Sequence, residues 1–399
     1  MTAYLDVARL RADFPALDLG VAHFDGPGGT QVPRQVADAI ARTLTAGLSN
    51  RGAVTEAERR AESVVVGARS AVADLLGCDP RGVVFARSAT QATYDLARTL
   101  AKEWRPGDEV VVTRLDHDAN IRPWVQAAEA VGAAVRWVEF DPATGELDLL
   151  GLAEALSERT RLVAVTAASN VLGTRPDLEV IAEAVHAAGA LLHVDGVHLV
   201  PHAPVDVPAL GADFFVCSPY KFFGPHHGVL VADPALLETL RPDKLLPSSD
   251  AVPERFELGT LPYELLAGTI AAIDLIADLA SSAPDRRTRV LESMRAVEEH
   301  EERLFGRLLA GLERLPRIRQ YGAPARRTPT VYFSVEGLTG REVYEALAAR
   351  GVNAPASHFY AIEASRHLGL GDAGAVRAGL APYSTVEDVD RLLEGLAAL

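Results

Sequence analysis

The stretch CSPYKFFGPHHG, Cys217 to Gly228, sets a lysine just behind the apolar run Phe214-Phe215-Val216, with aromatic residues on both sides and glycines beyond. A lysine that needs only water belongs on a charged helix face. At the end of a buried strand it is dehydrated, which lowers its pKa from about 10.4 and makes the amine a nucleophile. Other residues able to do chemistry also fall at the ends of apolar runs. Asp195 closes LLHVD, Asn170 closes AVTAASN, and Asp116, His117 and Asp118 follow VVTRL. Ser88-Ala89-Thr90 follows VVFAR and opens a helical pattern, where free backbone N–H groups and the helix dipole suit a phosphate.

One cofactor needs this set of parts. Pyridoxal phosphate requires a lysine for a Schiff base, an acid facing its pyridine nitrogen and an anion site for its phosphate. A ring over its face adds stacking. Lys221 would supply the amine, and Asp195, kept ionised, would hold the ring nitrogen protonated. Each residue alone has a plainer reading: a snorkelling lysine, a turn aspartate, a structural histidine, an ordinary serine N-cap. Their joint order carries the inference. Cys217 reads as a core thiol and Cys78 as a loop residue.

The elements that must position these residues are legible as alternating patterns. The apolar runs are VVFA (83–86), EVVVT (109–113), AAVRWVEF (133–140), RLVAVTAAS (161–169), ALLHVDG (190–196), DFFVCSP (213–219) and GVLVAD (228–233). Amphipathic stretches such as DLEVIAEAVHAAGA (177–190) separate several of them. Near-continuous apolar runs alternating with helices predict a mainly parallel sheet covered on both faces, in an α/β domain of about seven strands. The last two runs are a short turn apart, so an antiparallel strand joins there. In such sheets ligands bind beyond the carboxyl ends of the strands. After about residue 255 a helical region from Tyr263 to about Leu315 leads into a smaller α+β segment. That segment holds TPTVYFSV (328–335), a helix over 341–350 and a final helix over 386–399. The expected organisation is residues 1–20 packing with the small domain, 21–260 as the large domain, and 261–399 as a connecting helix plus the small C-terminal domain.

The 399 residues exceed one ordinary core. A net charge of -15 excludes a nucleic-acid or anionic-membrane surface as the working partner. The N-terminus mixes charged and apolar residues, unlike a signal or transit peptide, and no stretch of about 18 residues lacks charge. Two cysteines fit a reducing compartment with no disulfide framework and no metal site. The expectation is a cytoplasmic enzyme.

Taken with RADFPAL (11–17), FDGPGG (24–29), DHDANIRPW (116–124), SNVLGT (169–174), HVDGVH (193–198), SPYKFFGP (218–225), RFELGT (255–260) and VRAGLAPYST (376–385), these motifs resemble, nearly end to end, the class V aminotransferases. These are fold-type I pyridoxal phosphate enzymes, and the nearest likeness is to the cysteine desulfurase and selenocysteine lyase group. The resemblance implies that Lys221 carries the cofactor, Asp195 faces the pyridine nitrogen, His117 stacks on the ring and Asn170 lies near the ring hydroxyl. Ala89, Thr90, Ser218 and Tyr220 fall where the group contacts the phosphate. Thr260 falls where the partner subunit contributes to that site, which implies a homodimer with shared active sites. Arg377 matches the arginine that holds the substrate α-carboxylate.

The departures bear on the reaction. Desulfurases carry a sulfur-accepting cysteine in a C-terminal loop; here the stretch reads PASHFYA (355–361), with Tyr360 at the cysteine position. A phenol with a pKa of about 10 is a poor sulfur acceptor. His198 replaces a glutamine beside the ring hydroxyl, Tyr220 a histidine, and Ser88-Ala89 a Gly-Thr pair. The expected substrate is a small amino acid or its S-conjugate. The favoured reaction is β-elimination of a thiol without a protein persulfide, with Tyr360 or His358 lining the pocket or protonating the leaving group. Transamination, epimerisation and a non-catalytic dimer are the alternatives.

Overall fold

In the computed structural model, which describes residues 4–399, the apolar runs become strands. A two-residue strand, β1 (Ala22–His23), precedes β2 (Val83–Ala86), β3 (Glu109–Thr113), β4 (Ala134–Val138), β5 (Thr160–Thr166), β6 (Leu191–Asp195), β7 (Phe214–Cys217) and β8 (Gly228–Ala232). The seven strands from β2 to β8 form one sheet in the order β2-β8-β7-β6-β5-β3-β4. The β2–β8 and β7–β8 pairs are antiparallel. The β6–β7, β5–β6, β3–β5 and β3–β4 pairs are parallel.

Both faces of this sheet are buried away from its edge strand β4, which is why the inner strands read as mostly apolar runs. Val111, Val163, Leu192 and Phe215 pack into the core on one side, and Val110, Val112, Leu162, Phe214 and Val216 into the core on the other. Each buried side chain of this kind contributes about 1.5–3 kcal/mol. An exposed ion pair contributes about 0–1 kcal/mol, so the doubly covered sheet dominates stability.

The helical region after residue 262 is two helices, Tyr263–Ala277 and Arg286–Glu313. Pro284 and the N-cap Asp285, whose carboxylate accepts from Thr288 N, interrupt it. The C-terminal sheet contains β9 (Ile318–Tyr321), β10 (Thr330–Val335), β12 (Ala356–Ser357) and β13 (Ala375–Gly379), with β11 (Val352–Asn353) between them in the chain. Its order is β12-β13-β10-β9, all antiparallel, over a third core that includes Leu308, Phe333 and Val376. β1, inside the span assigned from the sequence to the large domain, pairs in parallel with β11. Near the N-terminus, Arg11 donates to Tyr383 O at 2.7 Å and to Asp388 at 3.1 Å. Among the described residues no helix is long and apolar enough to cross a membrane.

Candidate active site

The carboxyl ends of β5, β6 and β7 lie at one edge of the sheet, and the C-terminal sheet closes over them. Between the two lies a cavity of about 670 Å³. Ser88, Ala89, Thr90, His117, Asn170, Asp195, His198, Ser218, Tyr220, Lys221, His358, Tyr360 and Arg377 all line it. Residues far apart in the chain are gathered there because parallel strands start and stop together. Thr260 does not reach this cavity. It lines a separate depression of about 490 Å³ with Arg87, Gln91 and His226. Arg87 and Gln91 flank the Ser88–Thr90 turn, and the His226 ring stacks on Tyr220 at 4.8 Å, so the two hollows share a wall.

Lys221 ends a short 3-10 turn, Pro219–Lys221, directly after β7. It is 9% exposed, with Phe222 and Phe223 buried beside it. Its Nζ donates to Pro27 O, in the Gly-Pro-Gly-Gly turn, and lies 5.0 Å from the centre of the Tyr220 ring. Burial pushes its amine down to about 7, helped by the cationic Arg377 and opposed by Asp195. Asp195 closes β6, the strand next to β7, paired in register with Val216. One carboxylate oxygen accepts from Val197 N at 2.9 Å. Burial raises Asp195 to about 6, offset by that N–H and by Lys221. A cationic ring nitrogen against it favours the ionised form.

His117 follows β3, and its Nδ1 accepts from Ala119 N at 3.1 Å. Burial, with Lys221 and Arg377 nearby, pushes it down to about 3, so it is a neutral ring suited to stacking. Ser88 caps the helix Ala89–Ala101 through a bond from Gln91 N to Ser88 Oγ at 3.0 Å. The first-turn N–H groups of Ala89 and Thr90 have no acceptor within the helix. Gly228, at the start of β8, abuts this turn: a Cβ there would lie 2.1 Å from the Ser88 carbonyl carbon. A glycine is needed for the strand to approach the helix start so closely.

Three buried polar atoms of cavity residues have no partner among the described residues: Asn170 Oδ1, His198 Nδ1 and Arg377 Nε. Buried polar groups are ordinarily satisfied, so these atoms point to a polar ligand. With a dehydrated lysine, a buried carboxylate, a neutral imidazole and an open helix start, the donor set fits pyridoxal phosphate. Burial also pushes Arg377 down to about 9, still a cation at neutral pH.

Several contributors carry no sequence signal of their own. Pro27, Thr93, Tyr94 and Arg122 also line the cavity, and Phe359 stacks on Arg377. Asp116 is fully buried beneath it; Asn120 Nδ2 donates to it at 2.6 Å, Thr113 Oγ1 is its other partner, and burial raises it to about 8. Its place in the run DHDAN marked it, but not its bonds to Thr113 and Asn120.

The class-V aminotransferase model matches residues 22–392. The chain belongs to the class-V aminotransferase family. It is 37% identical to an uncharacterized protein of Mycobacterium tuberculosis over 99% of both chains. It is 32% identical to a cysteine desulfurase of Yersinia pestis, covering 98% of this chain and 97% of that one. Among solved structures, the cysteine desulfurase CsdA of Escherichia coli superposes with a TM-score of 0.86 at 28% identity, covering 98% of each chain. This class-V member is therefore a pyridoxal phosphate-dependent enzyme of fold type I, related to the cysteine desulfurases.

Proposed function

We propose that the protein is a lyase of the desulfurase-like class-V group. In this reading it eliminates a thiol from a small amino acid or its S-conjugate, with no persulfide formed on the protein. The observation that carries this reading is where the thiols are. The chain has two cysteines, and neither lines the cavity. Cys217 is 1% exposed in the core under the sheet, its thiol pushed up by burial, and Cys78 is pushed up to about 12. Thiols held neutral and out of reach do not accept sulfur. At the cavity mouth stands Tyr360 instead, 69% exposed.

Bound pyridoxal phosphate supplies an aldehyde for amine exchange and a cationic ring that stabilises negative charge at the substrate's Cα. Ser88, Ala89, Thr90, Ser218 and Tyr220 would hold its phosphate, Asp195 its ring N–H, His117 its face, and Asn170 and His198 its phenolic edge. Arg377 binds the substrate carboxylate through its unpaired edge. Lys221, neutral above about pH 7, removes the Cα proton. The C–S bond then breaks, and Tyr360 or His358 at the mouth returns a proton to the departing sulfur. Thr260 and its depression would complete the phosphate site of a second subunit in a homodimer.

Incubation with S-alkyl cysteines in deuterated water tests this. Free thiol, pyruvate and ammonia in equal amounts are expected. A keto acid with aminated cofactor, or Cα deuteration with no thiol release, overturns the elimination reading in favour of transamination or epimerisation.

A further inference from the structure

Arg377 enters the cavity from β13, and the segment leaving β12 crosses above it. β12 is bound to β13 in register, and Arg377 N donates to Pro355 O at 3.0 Å. Tyr332 Oη locks the pair, donating to Ser357 O at 2.7 Å and accepting from Ala375 N at 2.7 Å. Beyond Ser357 the chain turns back through two successive left-handed residues, Phe359 (φ 50°) and Tyr360 (φ 60°). Residues with side chains rarely adopt this conformation, and surrounding contacts must impose it. Here Asn170 Nδ2 donates to Phe359 O at 2.9 Å and Asp118 N to Tyr360 O at 2.8 Å.

The turn lays the centre of the Phe359 ring 3.7 Å from Arg377 Cζ, with the guanidinium carbon over the ring. Asn170 closes the set: its backbone oxygen accepts from Arg377 Nη1 at 3.0 Å, while its side chain holds Phe359. Arg377 is 2% exposed and its Nε has no partner among the described residues. A buried guanidinium with one edge unpaired turns toward whatever acceptor is nearest unless something fixes its plane. An aromatic face does this well, because a guanidinium is planar and weakly hydrated.

Resting on the reading of Arg377 as the carboxylate site, we propose that Phe359 is a positioning residue. Its ring covers one face of the guanidinium and fixes the plane, so that a carboxylate meets the free edge with two parallel hydrogen bonds. The recognised group is a single carboxylate in that plane.

The test is equilibrium binding to the holoenzyme, followed by the cofactor's visible band, with two ligands that differ only by the carboxylate: alanine and ethylamine. Phe359→Leu keeps an apolar side chain of similar bulk and removes the aromatic face. It is expected to weaken alanine by about tenfold and to leave ethylamine within about twofold, with Phe359→Tyr restoring alanine. Unchanged alanine binding, equal loss for both ligands, or no rescue by tyrosine overturns the proposal. A second measurement needs no folded leucine variant. In the cofactor-free wild-type protein the Arg377 Nε–H resonance, assigned by its loss in Arg377→Lys, is expected to be shifted upfield by the ring, and an unshifted signal also overturns the proposal. If Arg377→Lys binds alanine like the wild type, the carboxylate reading itself fails; if only Phe359→Leu is silent, that reading stands without this inference.

Discussion

Lys221 can condense with an aldehyde only as a free amine, and its surroundings decide the pH at which it is one. Water would keep it an ammonium to about pH 10.4. Burial beside Phe222 and Arg377 pushes it down to about 7. A group whose value is lowered on folding is protonated and inert below the lowered value and reactive above it. The rate at which cofactor-free protein takes up pyridoxal phosphate into a borohydride-fixable form is therefore expected to rise through a midpoint near pH 7 and level off by about pH 8. A rate still climbing toward pH 10 would mean the amine is solvated. Lys221→Ala should bind the cofactor with no fixable mass on the peptide, read by mass spectrometry. At this scale the sequence is informative where chemistry sits at the end of a strand, because burial patterning marks the strand and chain order marks its end. The positions of Lys221, Asp195 and Asn170, at or just past strand ends, were legible for that reason. Phe359 was not, since the role proposed for it depends on a left-handed φ and on a partner reached only through the fold. A single sequence carries no sign of either.

The helix start at Ser88–Thr90 and the strand start at Gly228 act as one element. The sheet brings β8 beside β2, so the chain at 228 passes directly under the cap at 88. A Cβ on Gly228 would meet the Ser88 carbonyl carbon at 2.1 Å and Ala89 N at 2.3 Å, both backbone atoms that move only with the turn itself. Gly228→Ala is expected to displace the two open N–H groups and cost about 1–3 kcal/mol of stability. Cofactor affinity should fall at least tenfold (about 1.4 kcal/mol), with the sheet's circular dichroism retained. Fluorescence titration of cofactor-free protein measures it, and wild-type affinity would show that the turn does not hold the phosphate. The strands of the large sheet were legible because each is four or more residues long and mostly apolar, as in VVFA, FFVC and GVLVA. β1 and β11, at two residues each, are too short to show any period, so their pairing, which ties Ala22–His23 to the C-terminal part, could not be read. The break between the two long helices lies in SSAPD, turn residues that a continuous amphipathic reading overrode.

At the scale of the whole molecule the unassigned piece is Thr260. It stands after Gly259, which has a φ of 81°, and beside Leu258, 52% exposed, in a depression separate from the cavity and lined also by Arg87 and Gln91. A residue so placed does not serve the cavity of its own subunit. If two subunits associate so that each offers Thr260 to the other's phosphate site, every active site is built from two chains, and the damage from two mutations depends on which chains carry them. Lys221→Ala removes the amine from its own site, whereas Thr260→Trp blocks the partner's. Each homodimer is dead. In a mixed dimer, one site combines both defects and the other has neither. Random reassortment makes half the dimers mixed, each with one of two sites intact, so co-refolded equal amounts should recover about a quarter of wild-type activity. No recovery, in a mixture shown to contain mixed dimers by mass spectrometry, would mean that Thr260 acts within its own chain, and an active Thr260→Trp homodimer would mean that it does not act at all. Recovery near the predicted fraction would assign the depression to the neighbouring subunit's cofactor.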